Sequence, residues 1–505
     1  MEYIEVQSYL VELPDPCLLA VMHCLADQPA SLFSAARAHS RLHQAAVVVL
    51  SSIAVTLKTQ QQLEDSLLPY LGKHVQHVDT LKVCGCSFSL SLLQLPSKLQ
   101  LTSLQLQQIA VQLQPGRGFH GVLRPELLLK QLRLDDCQLH DYDSAVALAA
   151  VLSLLPGLEH LSIGSSSYLP LPIGELSLLQ QLTYLRLVCD RPDGSGHPAT
   201  LPLQALTRLV DLRVHFNLPW PPSHHSAASM LSCLCSLTRL TLPDAALDPA
   251  ALAGKTQLQH LELPCCSIAG AAAGVAQLLS QLQELTQLTH LDLTGTLRRV
   301  EHSNPPAAAF SALTASSMLQ HLSIRNCTVP AGVWQGMFPA GRQLQHLRAL
   351  HISRVETPSN QFVAPPAGSS LVSCCPGLQS LDLHYLPCSQ ELLGAVQGFS
   401  ALHTLCLGRC IGATISGKVF EPLCRLTRLR ELQLMQPCGP DGLLLLTQLK
   451  QLTKLLIEDL TLQWSPCTFE VGCCAVAVLH TVLLLCICRC ATRSCQPFSA
   501  FCVHC

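Results

Sequence analysis

The amino-acid sequence predicts an α/β solenoid, in which short repeats stack and their parallel strands lie on the concave face. An apolar pattern, L-x-x-L-x-L-x-x-C-x-[L/I/V], recurs along most of the chain, as in LQHLSIRNCTV (319–329) and LKQLRLDDCQL (129–139). Successive copies begin 21 to 31 residues apart, and Ala- and Leu-rich runs of helical composition lie between several of them. The chain has 505 residues, which exceeds one ordinary compact core and suits a repeat array.

Each copy of the pattern predicts one short strand. The apolar fourth and sixth positions alternate with polar ones, which is typical of a half-buried strand. The fifteen copies begin at Val78, Leu101, Leu129, Leu158, Leu182, Leu209, Leu237, Leu258, Leu288, Leu319, Leu347, Leu378, Leu402, Leu429 and Leu452. We therefore expect a solenoid of about fifteen repeats over residues 75–462.

The ninth position of each copy is where the chain is expected to turn out of the strand. A small polar side chain there can satisfy backbone groups of the turn. This position holds Cys86, Cys137, Cys266, Cys327, Cys410, Asn217 or Thr296 in seven copies. Other copies carry Ile109, Asp190, Ala245, Val355, Leu386, Pro437 or Leu460, for which we expect looser turns in the same fold.

This pattern and its spacing resemble the leucine-rich repeat family, over about residues 75–462. The resemblance implies a horseshoe to which each repeat contributes one strand. Between the strands, residues 144–157 and 270–288 predict helices from their Ala- and Leu-rich composition. Residues 168–182 contain prolines and predict shorter turns or 3₁₀ pieces.

Residues 11–50 do not follow the repeat and predict two or three short helices. Apolar residues at helical spacing are followed by a break at residues 27–30 and by a second amphipathic run. The segment resembles an F-box, with the pattern LPDxxLLxxxxxL followed by SLxxAAxxxxRLxxAA. The matching residues are Leu13, Pro14, Leu18, Leu19, Leu25, Leu32, Ala36, Arg41 and Leu42.

The F-box resemblance implies docking on a Skp-type adaptor of a cullin-RING ubiquitin ligase, through Leu13, Pro14, Leu18, Leu19, Leu25, Leu32 and Leu42. The sequence departs from that family in its late helix, where residues 38–42 read AHSRL instead of a Val-Cys-Arg-x-Trp-like ending. The alternative is a helical cap that shields the first strand of the solenoid.

The third, fifth and seventh positions of each copy are expected to point outward from the concave sheet. In the first half of the chain they supply Lys82, Arg133, Arg186, Arg213 and Arg239. In the second half they supply His260, Glu262, His290, Asp292, His321, His351, Asp382 and His384. A basic end and an acidic, His-rich end suit a partner protein of opposite polarity, whereas the alternative is that these charges only solvate the face.

Neither a metal nor a cofactor is expected. His260, His290 and His321, with Glu262 and Asp292 beside them, are suitable ligand types, but a ladder on a flat sheet spreads its members apart. The cysteines lack the paired C-x-x-C spacing of zinc modules, and most are expected to be small buried residues. The sequence contains no G-x-S-x-G, H-E-x-x-H or Walker motif, so an enzyme is not expected.

Composition and the N-terminal sequence indicate the cellular compartment and the class of partner. The net charge of −2 argues against a nucleic-acid partner, and charged residues make up only 13%. MEYIEVQSYLVELPD at the N-terminus has no signal-peptide pattern, so the 27 cysteines are expected to be reduced in the cytoplasm or nucleus. Residues 463–505 form a Cys-rich apolar tail, either unstructured or a membrane anchor, although a membrane is not an expected partner.

The expected organisation is an N-terminal arm (1–10), the F-box-like segment (11–50), a linker or capping region (51–74), the solenoid (75–462) and the tail (463–505). The leading hypothesis is a non-catalytic substrate receptor of an SCF-type ubiquitin ligase, which holds an unidentified target protein on its concave face. The alternative is a scaffold without a ligase role in cytoskeletal or ciliary (axonemal) assemblies. A redox or metal enzyme that uses the Cys and His residues is the weakest of the three hypotheses.

Overall fold

Parallel strands form the framework of a computed structural model of the chain, which divides into two units, Met1–Ala245 and Ala246–Cys505. The structure describes residues 13–24, 35, 38–50, 52–74, 78–85, 89–91, 100–112, 128–137, 142–165, 174–189, 203–216, 231–298, 305–359, 361–364, 366–386, 390–408, 421–435, 446, 448–457 and 501–504. Leu25, Leu32, Cys86, Cys410, Asn217 and nearly all of the tail lie outside these residues.

In the first unit, eight parallel strands are paired in chain order. They are β1 (Ser52–Leu57), β2 (Thr80–Gly85), β4 (Ser103–Gln107), β6 (Gln131–Asp135), β7 (His160–Ser165), β8 (Tyr184–Cys189), β9 (Asp211–Phe216) and β10 (Arg239–Thr241). A separate parallel pair joins β3 (Ser89–Ser91) to β5 (Ala110–Gln112).

In the second unit, another eight parallel strands are paired in the same way. They are β12 (His260–Glu262), β14 (His290–Asp292), β15 (His321–Thr328), β16 (Ala349–Glu356), β17 (Ser380–His384), β18 (Thr404–Gly408), β19 (Glu431–Met435) and β20 (Lys454–Ile457). The short strands β11 (Ala246–Leu247) and β13 (Ser267–Ile268) form a parallel pair, and β21 (Phe501–His504) is antiparallel to β20.

The strands confirm the predicted fold class, an α/β solenoid of the leucine-rich repeat type. All fifteen predicted copies form a strand that begins at the third position of the copy. The fourth- and sixth-position side chains form the core; Leu261 and Leu263, for example, are both 0% exposed. Neighbouring copies pair third position with third position, as His260 does with His290, so equivalent side chains lie in rows.

Within the two series of eight parallel strands, one strand has no counterpart among the fifteen copies. β1 lies in residues 51–74, which the sequence assigns to a linker or capping region, and it pairs with β2 in the repeat register, Ser52 opposite Thr80. Its buried Ile53 and the following Val55 stand where Leu81 and Val83 stand in β2. A helical segment over residues 60–74 then returns the chain to β2 and includes a π-helical turn at Leu63–Leu67.

The segments that connect the strands form the helices and 3₁₀ helices that their amino-acid composition predicts. The predicted helices form as Tyr142–Ser153 and Ala271–Glu284, and the proline-containing return forms a 3₁₀ helix at Gly174–Leu178. Shorter helices occur at Val333–Met337, Gly368–Cys374 and Gln390–Val396, and 3₁₀ helices at Leu203–Ala205, Pro249–Leu252, Ala307–Thr314 and Leu423–Arg425.

In eight of the fifteen copies, the chain leaves the strand through a residue with positive φ at the eighth position. This residue is Gln108, Asp136, Asp244, Cys265, Gly295, Asn326, Arg354 or Tyr385, with φ between 46° and 73°. Gly, Asp and Asn tolerate this left-handed conformation, whereas Gln, Cys, Arg and Tyr adopt it at some cost in strain. The same conformation precedes Ile109, Ala245, Val355 and Leu386, where the sequence predicts looser turns.

In three copies the ninth side chain donates a hydrogen bond to a backbone carbonyl, as the sequence predicts for a small polar residue there. Cys137 Sγ donates to the Leu106 carbonyl at 3.3 Å, and Cys327 Sγ donates to the Leu293 carbonyl at 3.4 Å. Thr296 Oγ1 donates to the Leu263 carbonyl in the same way. In each case the acceptor is the sixth residue of the preceding copy, so this contact ties each turn to the adjacent repeat.

Within residues 11–50, the structure gives the bounds of two helices, Asp15–Cys24 (α1) and Ser40–Leu50 (α2). Leu18 and Leu42 are buried, and the Arg41 guanidinium bonds the Leu13 carbonyl at 2.9 Å and Asp15 Oδ1 at 2.6 Å. The two helices therefore form one packed pair. Among the described residues, no helix is both long enough and apolar enough to cross a membrane.

Candidate functional site

The predicted binding residues share one side of the parallel strands in each unit. We call the side that carries the third, fifth and seventh positions the open sheet face; because side chains alternate along a strand, it is opposite the buried fourth and sixth positions. In the first unit it carries Lys82, Arg133, Arg186, Arg213 and Arg239, and in the second His260, Glu262, His290, Asp292, His321, His351, Asp382 and His384.

In the first unit, carboxylates accompany the arginines. Asp211 receives two hydrogen bonds from Arg213, at 3.0 and 3.1 Å, and lies 3.7 Å from Arg239. Asp135 lies 3.3 Å from Arg186 and accepts a hydrogen bond from Ser162 Oγ at 2.9 Å. These two acids lie at a third and a seventh position of their copies, but they were not among the predicted site residues. They fix the arginine geometry and leave the predicted basic set only partly neutralised.

An aromatic row accompanies these ion pairs. The rings of His160 and Tyr184, both at third positions, stack with centroids 5.9 Å apart. The guanidinium of Arg213 lies 5.7 Å from the centre of the Tyr184 ring, within the range of a cation–π contact. Neither ring was among the predicted site residues. Tyr and Arg held in this way are the residue types that contribute most at protein interfaces.

In the second unit, four imidazoles pack in a row across adjacent strands. The centroids of His260 and His290 are 4.7 Å apart, those of His290 and His321 5.8 Å, and those of His321 and His351 4.7 Å. The His260 side chain is only 16% exposed, and its Nε2 lies 2.6 Å from Glu262 Oε1. The histidines that the sequence expected to spread apart therefore contact one another, but through their rings.

Burial favours the neutral form of two rings of this row, His321 and His351. It lowers the pKa of His321, and it lowers the pKa of His351 to about 4, where His321 and Arg325 add to the effect of burial. At neutral pH these two rings carry no charge. The carboxylates of Glu262 and Asp292 therefore provide the acidic groups of this part of the open sheet face.

A second polar cluster begins at Arg325, which occupies a seventh position. Its guanidinium donates to His351 Nδ1 at 2.9 Å and to Asp382 Oδ2 at 2.7 Å. Asp382 Oδ1 lies 3.1 Å from His384 Nε2, and that nitrogen lies 2.8 Å from Cys406 Sγ. Burial raises the pKa of Asp382, against the opposing charges of His384 and Arg325.

Arg325 and Cys406 were not predicted as site residues. Cys406 occupies a fifth position and resembles, in sequence, the small buried cysteines of the repeat. A scan of all third, fifth and seventh positions would have found both residues, as well as Asp135, Asp211, His160 and Tyr184.

The F-box-like residues divide by exposure. Pro14 is exposed and Leu13 and Leu19 are partly exposed, whereas Leu18 and Leu42 are buried in the helix pair. An adaptor could thus contact Leu13, Pro14 and Leu19 directly, while Leu18 and Leu42 hold the two helices together. Leu25 and Leu32 lie outside the described residues.

Comparison with known proteins gives structural similarities only. No protein-family model and no curated protein matches the chain. A leucine-rich repeat protein of Leptospira interrogans is 16% identical, covers 82% of this chain and 91% of its own, and has a TM-score of 0.48. The internalin InlF of Listeria monocytogenes is 15% identical over 66% and 80%, with a TM-score of 0.38. The plant peptide hormone receptor RGFR1, in complex with RGF2, is 13% identical over 80% and 76%, with a TM-score of 0.35.

Proposed function

We propose that this chain is a non-catalytic recognition protein that binds a target protein on the open sheet face of its repeats. The observation that carries the proposal is the cluster of Tyr184, Arg213 and Asp211 on β8 and β9, in which an aromatic ring and a bidentate ion pair hold the arginine in place. Side chains that are ordered before binding lose less conformational entropy when a partner arrives.

The charges of the two units favour different partner surfaces. In the first unit, the open sheet face carries the five predicted basic residues and the carboxylates of Asp135 and Asp211, which suits an acidic surface of the target. In the second unit, neutral histidines and the carboxylates of Glu262 and Asp292 suit a basic one. Complementary potentials of this kind increase association rates and select partners.

A photo-crosslinking experiment tests the open sheet face. A photoreactive amino acid replaces Tyr184 in one version of the full chain and Arg425 in another; Arg425 is exposed on the 3₁₀ helix Leu423–Arg425 and is the matched control. We expect one target protein from the source cells to be crosslinked reproducibly at position 184 and not at position 425. Equal crosslinking at both positions, or none at position 184, would contradict binding by this face.

For the N-terminal helices we propose the finer role of adaptor docking, so that the bound target is presented for ubiquitin transfer. The mechanism is proximity, because both proteins are held in one assembly at high effective concentration. The exposed Pro14 and the partly exposed Leu13 and Leu19 support this role. The burial of Leu18 and Leu42 favours the second candidate, a scaffold in cytoskeletal or ciliary assemblies whose first helices only cap the repeats.

Binding to a purified Skp-type adaptor separates these two candidates. The double variant Leu13→Ala, Pro14→Ala removes accessible apolar surface but keeps the Leu13 carbonyl that Arg41 contacts, so the helix pair should stay folded. The ligase role requires that the full chain binds and that this variant loses binding, while Tyr184→Ala binds like the wild type. If the full chain does not bind, the helices are a cap and the scaffold role stands.

A further inference from the structure

Three metal-ligand side chains converge on the open sheet face of the second unit. Asp382 and His384 are the fifth and seventh residues of one copy, and Cys406 is directly opposite Asp382 on the next strand. One donor atom from each lies within 4.8 Å of the others. His384 Nε2 is 2.8 Å from Cys406 Sγ and 3.1 Å from Asp382 Oδ1, so a single point close to all three atoms exists.

This geometry is that of a ligand set and not of a catalytic relay. In a Cys–His–Asp relay the imidazole uses one nitrogen for the thiol and the other for the carboxylate. Here both groups face the same nitrogen, Nε2. The other nitrogen, Nδ1, lies against Gly408, where an added Cβ would come within 2.0 Å of it. A proton therefore has no path from the thiol through the ring to the carboxylate.

The carboxylate has an oxygen suited to a cation. Arg325 binds Asp382 Oδ2 at 2.7 Å, which orients the group and leaves Oδ1 directed at the other two donors. Oδ1 is buried and lies 3.1 Å from His384 Nε2, and the Cys406 thiol is a side-chain hydrogen-bond partner of the same carboxylate. A cation among the three donors would replace these contacts with metal–ligand bonds. The anchoring of a ligating carboxylate by a second residue is common in metal sites.

We propose that Asp382, His384 and Cys406 bind a zinc ion through Oδ1, Nε2 and Sγ. One thiolate, one imidazole and one carboxylate match the preference of zinc for mixed S, N and O ligands. The three residues leave the fourth tetrahedral position to water or another ligand. Binding replaces the thiol proton, which is released to solvent, and requires an unprotonated Nε2.

Zinc requires only a small rearrangement of these side chains. Bond lengths of about 2.0–2.3 Å separate the donors of a tetrahedral site by about 3.3–3.6 Å. The two donor separations measured from Nε2, 2.8 and 3.1 Å, would thus increase by less than 1 Å. The site lies on rigid strands, and Gly408 provides the space that the His384 ring occupies. The proposed zinc site does not depend on the proposed function, because no target protein contributes a ligand.

Cobalt(II) substitution tests the site in the full chain. After treatment with a chelator, Co²⁺ is added and the thiolate-to-cobalt charge-transfer band and the d–d bands of tetrahedral cobalt are recorded, followed by displacement with Zn²⁺. Because the chain has 27 cysteines, each variant is compared with the wild type for the number of ions bound. Cys406→Ser and His384→Gln should each lose one equivalent and its spectrum. Cys233→Ser, which removes an exposed thiol, is the matched control and should lose neither.

A positional variant distinguishes this site from nonspecific thiol binding. Gly408→Ala retains all three ligands but displaces the His384 ring, so we expect affinity for Co²⁺ to fall about 10- to 100-fold, as when ligand positioning is lost. Circular dichroism of each variant checks that the repeats remain folded. The proposal is overturned if the wild type binds no Co²⁺, or if Cys406→Ser binds as many equivalents as the wild type with the same spectrum.

Discussion

The buried histidine row predicts that mild acid destabilises the second unit. His351 packs against His321 and accepts a hydrogen bond from Arg325, with Asp292 and His384 as further charged neighbours. Burial lowers its pKa from 6.5 to about 4. The unfolded chain therefore binds a proton more readily than the folded one. The stability contributed by this ring is complete above pH 6.5 and is lost progressively as the pH falls towards 4.

The size of this effect follows from proton linkage. A single imidazole with a pKa of 6.5 when unfolded and about 4 when folded lowers the free energy of unfolding by about 2 kcal/mol between pH 7 and pH 5. His351 is only partly buried, and solvent screening reduces the expected effect to about 1 kcal/mol. Burial also lowers the pKa of His321, which changes stability in the same direction.

Urea unfolding at the two pH values measures the effect, with EDTA present to exclude bound metal. His351→Gln keeps an acceptor for Arg325 but cannot titrate, so its stability should fall by about 1 kcal/mol less than that of the wild type on acidification. Carboxylates titrate in both proteins and cancel in this difference. The exposed His346, in the turn before β16, provides the matched control His346→Gln. An equal loss of stability in His351→Gln and the wild type would refute the reasoning.

Three further predictions concern the core and the thiols. Leu381→Ala in β17 removes a fully buried side chain and should cost about 2–5 kcal/mol in urea unfolding, whereas Ser380→Ala beside it should change stability by less than about 0.5 kcal/mol. Burial raises the pKa of Cys327 to about 12, so iodoacetamide should leave it unmodified in the native protein while it alkylates the exposed Cys233, as mass spectrometry would show. Trp334→Phe removes the hydrogen bond from Nε1 to the Ala364 carbonyl, 2.5 Å long, and should lower stability by about 1 kcal/mol; no change would indicate that water satisfies the carbonyl equally well.

The repeat framework could be predicted because apolar spacing alone determines it. A strand forms wherever the fourth and sixth positions are apolar, and all fifteen predicted copies contain one. The same rule accounts for β1, where Ile53 and Val55 take the place of leucine in a pattern that the Leu-based template missed. The turn could not be predicted, since residues as different as Gln108, Cys265 and Tyr385 adopt the same left-handed conformation at the eighth position. There, packing of the adjacent repeats overrides local preference.

The polar clusters were less predictable, because each depends on neighbours in three dimensions. The sequence placed His260 and His290 in a row, but whether such rings spread or stack depends on how deeply they are buried, and here they pack 4.7 Å apart. Asp382 and His384 were predicted on the face, yet the cluster also needs Cys406 from the next strand and the space above Gly408. Only the paired register brings these four residues together.

The solenoid fixes the positions of the polar side chains in these clusters more firmly than a single loop would. Each side chain on the open sheet face is held by a strand whose fourth and sixth residues are buried, so its position follows from the core and not from the polar contacts themselves. Arg213 can therefore exchange Asp211 for a partner's carboxylate, and Asp382 can keep Arg325 while Oδ1 takes a cation, without unfolding a repeat. Substitutions on this face should thus change binding far more than stability, whereas substitutions such as Leu381→Ala should do the reverse.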